Sequence, residues 1–156
     1  MYIDVGLEAY DFNLLDNNGK MVKLSDFRGR MVVLYFYPKD NTPGCSTQAL
    51  GYKEGYNELL NRNVVLLGIS KDSINSHNKF ICKYNLPFTL LSDPDIDAIT
   101  KYGVWQEKKL YGKVNMGVVR TTYIIDPFGK VYHIIKKPNT KTDYLDVLKI
   151  VDNYGK

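Results

Sequence analysis

The chain has 156 residues, of which 44% are apolar and 24% charged. That length suits one domain, 1–156, with its own core, and the mixture is that of a soluble globule, which excludes a disordered or fibrous chain. The net charge of +4 is dispersed, with no basic run longer than the pairs Lys108–Lys109 and Lys136–Lys137, so a nucleic-acid partner is not expected.

In chain order, "DFNLL" and "MVKL" flank Asn18-Gly19, a strong turn signal, and read as an N-terminal β-hairpin. "MVVLYFY" is β-branched, aromatic and continuously apolar, as in a strand buried on both faces, and Pro38 ends it. A helix is predicted from Pro43 to Asn61, a second buried strand from Val64 to Ser70, and a second helix from Ser73 to Tyr84 with Ser73 as N-cap. "FTLLSDP" reads as a short strand and Ile96 to Tyr102 as a short helix. "TTYIIDP" is a third buried strand, "PFGK" a turn, and "VYHII" an alternating strand. Thr140 opens a last helix whose apolar stripe is Tyr144, Leu145, Leu148 and Val151. Parallel strands with crossover helices come first, an antiparallel pair with a closing helix last. The expected fold is α/β: a thioredoxin-like mixed sheet flanked by helices on both faces.

The first residues, "MYIDVGLEAYDFNLL", lack the basic and apolar regions of a signal peptide, and the longest apolar run, Met31 to Tyr37, is too short to span a bilayer. A cytoplasmic, non-membrane protein is expected, where structural disulfides are rare. Its two cysteines, Cys45 and Cys82, are then inert core residues, metal ligands or redox groups; without a histidine cluster they make a poor metal site. His77 and His133 stand alone and read as packing or surface residues.

Cys45 follows "NTPG". Thr42 suits an N-cap and Pro43 the first helical position, so Cys45 falls in the first turn, where free N–H groups and the helix dipole favour a thiolate. Gly44 would let a small ligand approach the backbone. A buried cysteine acting only as a small hydrophobe is the alternative. Position favours reactivity: the site lies at the carboxyl end of a buried strand, where open α/β sheets bind ligands.

"Pro38-Lys-Asp-Asn-Thr42-Pro-Gly-Cys45" resembles the Pro-x-x-x-Thr-x-x-Cys signature of peroxiredoxins, and "YFYPKDNTPGCSTQA" is similar to the bacterioferritin comigratory protein, or peroxiredoxin Q, subgroup. "LSDFRGRMVVLYFYPKD", "VVLLGIS", "NLPFTLLSD" and "VVRTTYIID" fall in the same order, so the likeness covers nearly the whole chain. It implies a thiol peroxidase acting on hydrogen peroxide and organic hydroperoxides. In it, Cys45 becomes a sulfenic acid, Thr42 orients the sulfur and the incoming oxygen, Pro38 shields the thiolate, and Arg120 stabilises thiolate and leaving oxygen. No metal, haem or flavin is implied. Gln48 stands where relatives often carry glutamate, so any role for a carboxylate at that position lapses.

Many members place a second cysteine on the same helix, at the position Leu50 occupies here, and leucine offers no thiol. The candidate that remains is Cys82. On its helix Ile74, His77, Phe80, Ile81 and Tyr84 share one face, and Cys82 projects about 140° away from it. It should be exposed, as a resolving thiol must be, and the subgroup offers precedent for a resolving cysteine on this helix. The resemblance thus implies a Cys45–Cys82 disulfide within one chain, reduced by thioredoxin or a similar dithiol protein. The alternatives are a single-cysteine peroxidase served by an external thiol, and a peroxide sensor that relays oxidation to a partner protein. Gly51 and Gly55 lower helix propensity and would ease opening of the Cys45 helix. No stripe demands a dimer, so a monomer is expected.

Overall fold

The computed structural model describes residues 3–156; Met1 and Tyr2 lie outside the described residues. The described residues form nine strands and four α-helices, in chain order: β1 (Asn13–Asp16), β2 (Met21–Lys23), β3 (Val32–Phe36), α1 (Pro43–Asn61), β4 (Val65–Ser70), α2 (Ile74–Tyr84), β5 (Thr89–Ser92), α3 (Asp97–Lys101), β6 (Trp105–Leu110), β7 (Lys113–Val118), β8 (Thr121–Ile125), β9 (Val131–Lys136) and α4 (Asp143–Asp152). A seven-stranded sheet has the order β2-β1-β5-β4-β3-β8-β9. β3, β4 and β5 pair in parallel; the hairpin joins β5, and β8 and β9 join β3, all antiparallel.

The continuous apolar runs are explained by cover on both faces. Val33, Tyr35, Leu66, Leu90 and Ile124 pack with α1, α2 and α4 through Ala49, Tyr52, Leu59, Phe80, Val147 and Val151. Val32, Leu34, Phe36, Val65, Leu67 and Ile69 face the other way, against Phe12, Leu24 and the short α3 through Ala98 and Ile99. Helices therefore lie on both faces, as expected, but three of the four share one.

Thirteen tyrosines read as scattered in the sequence. Three of them stack on the helical face: Tyr35 lies 5.4 Å from Tyr37 and 4.7 Å from Tyr52, centroid to centroid, with near-parallel rings. Tyr52 is carried by α1, so the stack ties that helix to the sheet.

One segment carried no expectation from the sequence, and one expectation needs correction. The segment 105–118 forms the hairpin β6–β7, closed by Tyr111 and Gly112, both at positive φ (53° and 75°). That is the geometry of a tight primed turn, and Tyr-Gly signals it less strongly than Asn-Gly. The hairpin's side chains are mostly exposed, so no burial pattern marked it in the sequence. The last helix begins at Asp143 with Thr142 at its N-cap, not at Thr140. Its inward face is Asp143, Val147 and Val151, while Leu145 stands 45% exposed.

The glycines of α1 serve packing. A Cβ on Gly51 would sit 2.9 Å from the Tyr144 ring and one on Gly55 2.6 Å from it. Close approach of α4 to α1 accounts for both, and ease of opening is not needed to explain them.

Candidate active site

β3 ends at Phe36, and the chain passes through Tyr37, Pro38 and Asp40 into α1. A buried cluster fixes this turn. The Tyr37 hydroxyl donates to Asp40 Oδ1 at 2.6 Å, and Ser76 Oγ donates to Oδ2 at 2.8 Å. His77 Nδ1 lies 2.8 Å from Asp40 Oδ2, and its Nε2 lies 3.0 Å from the Leu91 carbonyl. Both ring nitrogens lie within hydrogen-bonding distance of oxygen, so Asp40 and the Leu91 carbonyl hold the ring from either side. His77 is thus a packing residue, as read from the sequence, and one that ties α2 to the turn before Cys45.

Thr42 occupies the N-cap of α1 and Pro43 opens it, as expected. The Thr42 hydroxyl does not cap the helix, however; it donates to the Lys39 carbonyl at 2.9 Å, which leaves its oxygen lone pairs free to accept. Cys45 lies in the first turn and is only 2% exposed. Pro38 is half-buried at the preceding turn.

Arg120 reaches the sulfur because of strand register. β8 runs antiparallel to β3 with Thr121 opposite Phe36, so Arg120 lies beyond the end of β3, level with the turn into α1. Its Nη2 donates to Cys45 Sγ at 3.2 Å and its Nη1 to Gln48 Oε1 at 2.6 Å. A guanidinium aimed at sulfur is a charge-assisted donor, among the stronger hydrogen bonds a side chain can offer. Gly44 makes room for it: a Cβ there would lie 3.2 Å from Arg120 Nη2. The guanidinium, rather than an incoming ligand, takes the space that glycine opens.

Several groups at the site were not legible from motifs. Gln48 Nε2 donates to Asp143 Oδ2 at 3.0 Å, and the same oxygen accepts from Tyr52 and Thr122 at 2.5 and 2.9 Å. Burial pushes the Asp143 carboxyl above its usual range, opposed by the hydrogen bonds from Tyr52, Gln48 and Thr122. The signal for Asp143 was present: with Val147 and Val151 it recurs every fourth residue, the spacing of a helix face. Lys108, on the unforeseen β6–β7 hairpin, is half-buried; burial lowers its pKa, the charge of Arg120 lowers it further, and Cys45 raises it. It adds a second cation within electrostatic reach of the sulfur.

Cys82 is exposed on α2 and both cysteines are free. The C-terminal end of its helix is docked beside the start of α1. Lys83 Nζ donates to Asn41 Oδ1 at 2.9 Å and Lys53 Nζ to the Tyr84 carbonyl at 2.8 Å. A hydrogen bond with Ser46, the neighbour of Cys45, lowers the Tyr84 phenol pKa. The structure thus brings Cys45, Arg120 and Gln48 into contact, with Thr42 and Pro38 on the adjoining turn, and leaves Cys82 on a neighbouring element.

Residues 5–134 match the AhpC/TSA family. The chain belongs to that family. It is 40% identical over 149 residues to peroxiredoxin Bcp of Bacillus subtilis, covering 96% of this chain and 95% of that protein. It is 42% identical over 140 residues to peroxiredoxin Bcp of Escherichia coli, covering 90% of each. Among solved structures it is similar to bacterioferritin comigratory protein of Xanthomonas campestris, described for its alkyl peroxide reduction activity. That likeness has a TM-score of 0.91 at 32% identity and covers 98% of this chain and 100% of that one. The peroxiredoxin Q cysteine-to-serine variant of Xylella fastidiosa superposes with a TM-score of 0.93 at 29% identity, over 100% and 99% of the two chains. This AhpC/TSA protein is therefore a thiol peroxidase with a thioredoxin-like fold. Among the described residues no helix is long and apolar enough to cross a membrane.

Proposed function

We propose that Cys45 is the peroxidatic cysteine and Cys82 its resolving partner, in a single domain that works as a monomer in the cytoplasm. The observation that carries the reading is the 3.2 Å contact between Arg120 Nη2 and Cys45 Sγ at the mouth of α1. The thiolate sulfur attacks one oxygen of hydrogen peroxide or an organic hydroperoxide. The O–O bond breaks heterolytically, the sulfur keeps one oxygen as a sulfenic acid, and the other leaves as hydroxide or alkoxide and takes a proton. Arg120 neutralises charge on sulfur and on the departing oxygen, and the Thr42 oxygen accepts from the peroxide hydroxyl. Pro38 screens the sulfur from water.

The Cys82 thiol, attacking as its thiolate, displaces hydroxide from the sulfenic sulfur; the hydroxide takes up the proton the thiol gave up and leaves as water, and the disulfide forms. Thioredoxin or a similar dithiol protein reduces that disulfide. A disulfide needs Cα atoms within roughly 7 Å. Cys45 is buried in its helix and Cys82 exposed on another, so the first turn of α1 must open. The docking of Lys83 and Tyr84 beside Asn41 and Ser46 supports this partner, since opening that turn frees Cys45 next to the end of α2. Peroxiredoxin Q of X. campestris has itself been solved as two different cysteine-to-serine variants.

The reading is tested by adding one equivalent of hydrogen peroxide to the reduced protein and taking the intact mass. Loss of two hydrogens that disappears in Cys82→Ser supports it. Stable gain of one oxygen by the unaltered protein would mean an external resolving thiol, and a doubled mass would mean a disulfide between chains.

A further inference from the structure

We propose that Asp143 is a positioning residue for the peroxidase reaction: through the side-chain amide of Gln48 it fixes where Arg120 stands against Cys45. The inference rests on Cys45 and Arg120 having the roles proposed above.

The chain of contacts has a direction that chemistry imposes. Arginine has only donors, so the Gln48 atom 2.6 Å from Arg120 Nη1 is the amide oxygen. The amide nitrogen therefore points the other way, to Asp143 Oδ2 at 3.0 Å, and requires an acceptor there. Reversing the amide would set an NH₂ against a guanidinium and an oxygen against a carboxylate. Asp143 thus holds the amide in the orientation that Arg120 needs, and Arg120 reaches sulfur with its other nitrogen.

The acceptor is itself rigidly held. Asp143 is 1% exposed, and its Oδ2 gathers Gln48, Tyr52 and Thr122 from α1 and β8. Its second oxygen, buried, has no hydrogen bond among the described residues. A buried carboxylate left half-satisfied costs stability. Alignment of the arginine is what that cost secures. Asp146 on its own helix, Tyr35 on β3, and the Arg120–Cys45 pair are the other titratable or charged groups around it.

A charge relocation tests this. In Gln48→Glu two carboxylates meet where the amide and Asp143 now stand 3.0 Å apart, with no donor between them unless they share a proton. First-turnover reduction of hydrogen peroxide should fall roughly 10- to 100-fold at neutral pH, the scale expected when a catalytic group is displaced by about 1 Å. The loss should deepen as pH rises from about 5 to about 8, as the shared proton leaves. Adding Asp143→Asn removes the second carboxylate; its NH₂, set where Oδ2 now stands, can donate to the introduced carboxylate while the Tyr52 or Thr122 hydroxyl turns to accept its other hydrogen. The double variant should regain most of the rate and lose the added pH dependence. Asp143→Ala should be slower than Asp143→Asn, which keeps an acceptor for Gln48. Thermal melts confirm folding, and if Asp143→Ala does not fold, Gln48→Glu and the double variant carry the test.

Equal losses in Gln48→Glu and in the double variant, or an unaltered rate in folded Asp143→Ala, would overturn the proposal. Cys45→Ser separates it from the reading beneath it: activity persisting in that variant removes the nucleophile itself, whereas a dead Cys45→Ser with no rescue at position 143 removes only the positioning role.

Discussion

Cys45 and Cys82 are the same residue in opposite surroundings. Cys45 is buried in the first turn of a helix, with a guanidinium on its sulfur. Cys82 stands exposed on the outer face of the next helix, with no hydrogen bond to its sulfur among the described residues. The contrast suits the roles proposed for them. A group that attacks a small peroxide gains from fixed donors and exclusion of water. A group that intercepts an oxidised partner needs access. The fold supplies the first environment at the end of the parallel strands and the second by turning a polar helix face outward. What joins them is the turn 37–42, which Asp40 fastens to His77 and Asn41 to Lys83, both on α2.

The largest effect should come from breaking the buried end of this pair. Cys45→Ser removes the nucleophile, and peroxide consumption with any thiol reductant should fall to background. Arg120→Met keeps the volume but deletes the donor; kcat/KM for hydrogen peroxide should drop by roughly 10²- to 10³-fold, the range for loss of one aimed charge-stabilising donor. Cys82→Ser acts on the exposed end and should spare the first step. Sulfenic acid should accumulate and be trapped by dimedone, while turnover with a dithiol protein is lost.

Smaller effects sharpen the contrast by altering the scaffold alone. Gly55→Ala pushes a Cβ into Tyr144, so the melting temperature should fall, by about 1–3 kcal/mol of stability for an overpacked site, despite alanine's better helix propensity. First-turnover rates should change far less than in Arg120→Met. Smallest is a pH effect. The Asp143 carboxyl is raised above its usual 3.8 by burial, so the folded protein keeps a proton that the unfolded chain has lost. Below 3.8 both states are protonated and the group contributes nothing. As pH climbs from 3.8 toward the raised value the group increasingly destabilises the fold, and the penalty levels off above that value. Denaturant titrations of Asp143→Asn should show this decline flattened relative to the unaltered protein.

Much of this was legible in the sequence because burial and capping leave local marks. The apolar runs of β3, β4 and β8, the Ser73 cap and the outward angle of Cys82 all reappear in the structure, the boundaries moving by a residue or so. What was hidden depends on distant partners. Nothing near Gln48 says that Asp143 lies behind it; the contact exists because α4 folds back onto α1 over Gly51 and Gly55. The β6–β7 hairpin buries little, so it left no periodicity, and Lys108 went unnoticed with it. Thr42 was correctly placed at the helix start, but the partner of its hydroxyl, the Lys39 carbonyl, is a matter of turn geometry that residue type does not encode.

The division of labour between the two cysteines is tested most directly by a single-turnover experiment. Reduced protein, Cys45→Ser and Cys82→Ser are each mixed with hydrogen peroxide, quenched at intervals, and their oxidised species resolved by mass. The account predicts equal rates of first oxidation for the unaltered protein and Cys82→Ser, ending in an internal disulfide in one and a sulfenic acid in the other, with no comparable reaction in Cys45→Ser. Oxidation of Cys45→Ser at the unaltered rate, or a slowed first step in Cys82→Ser, would contradict it.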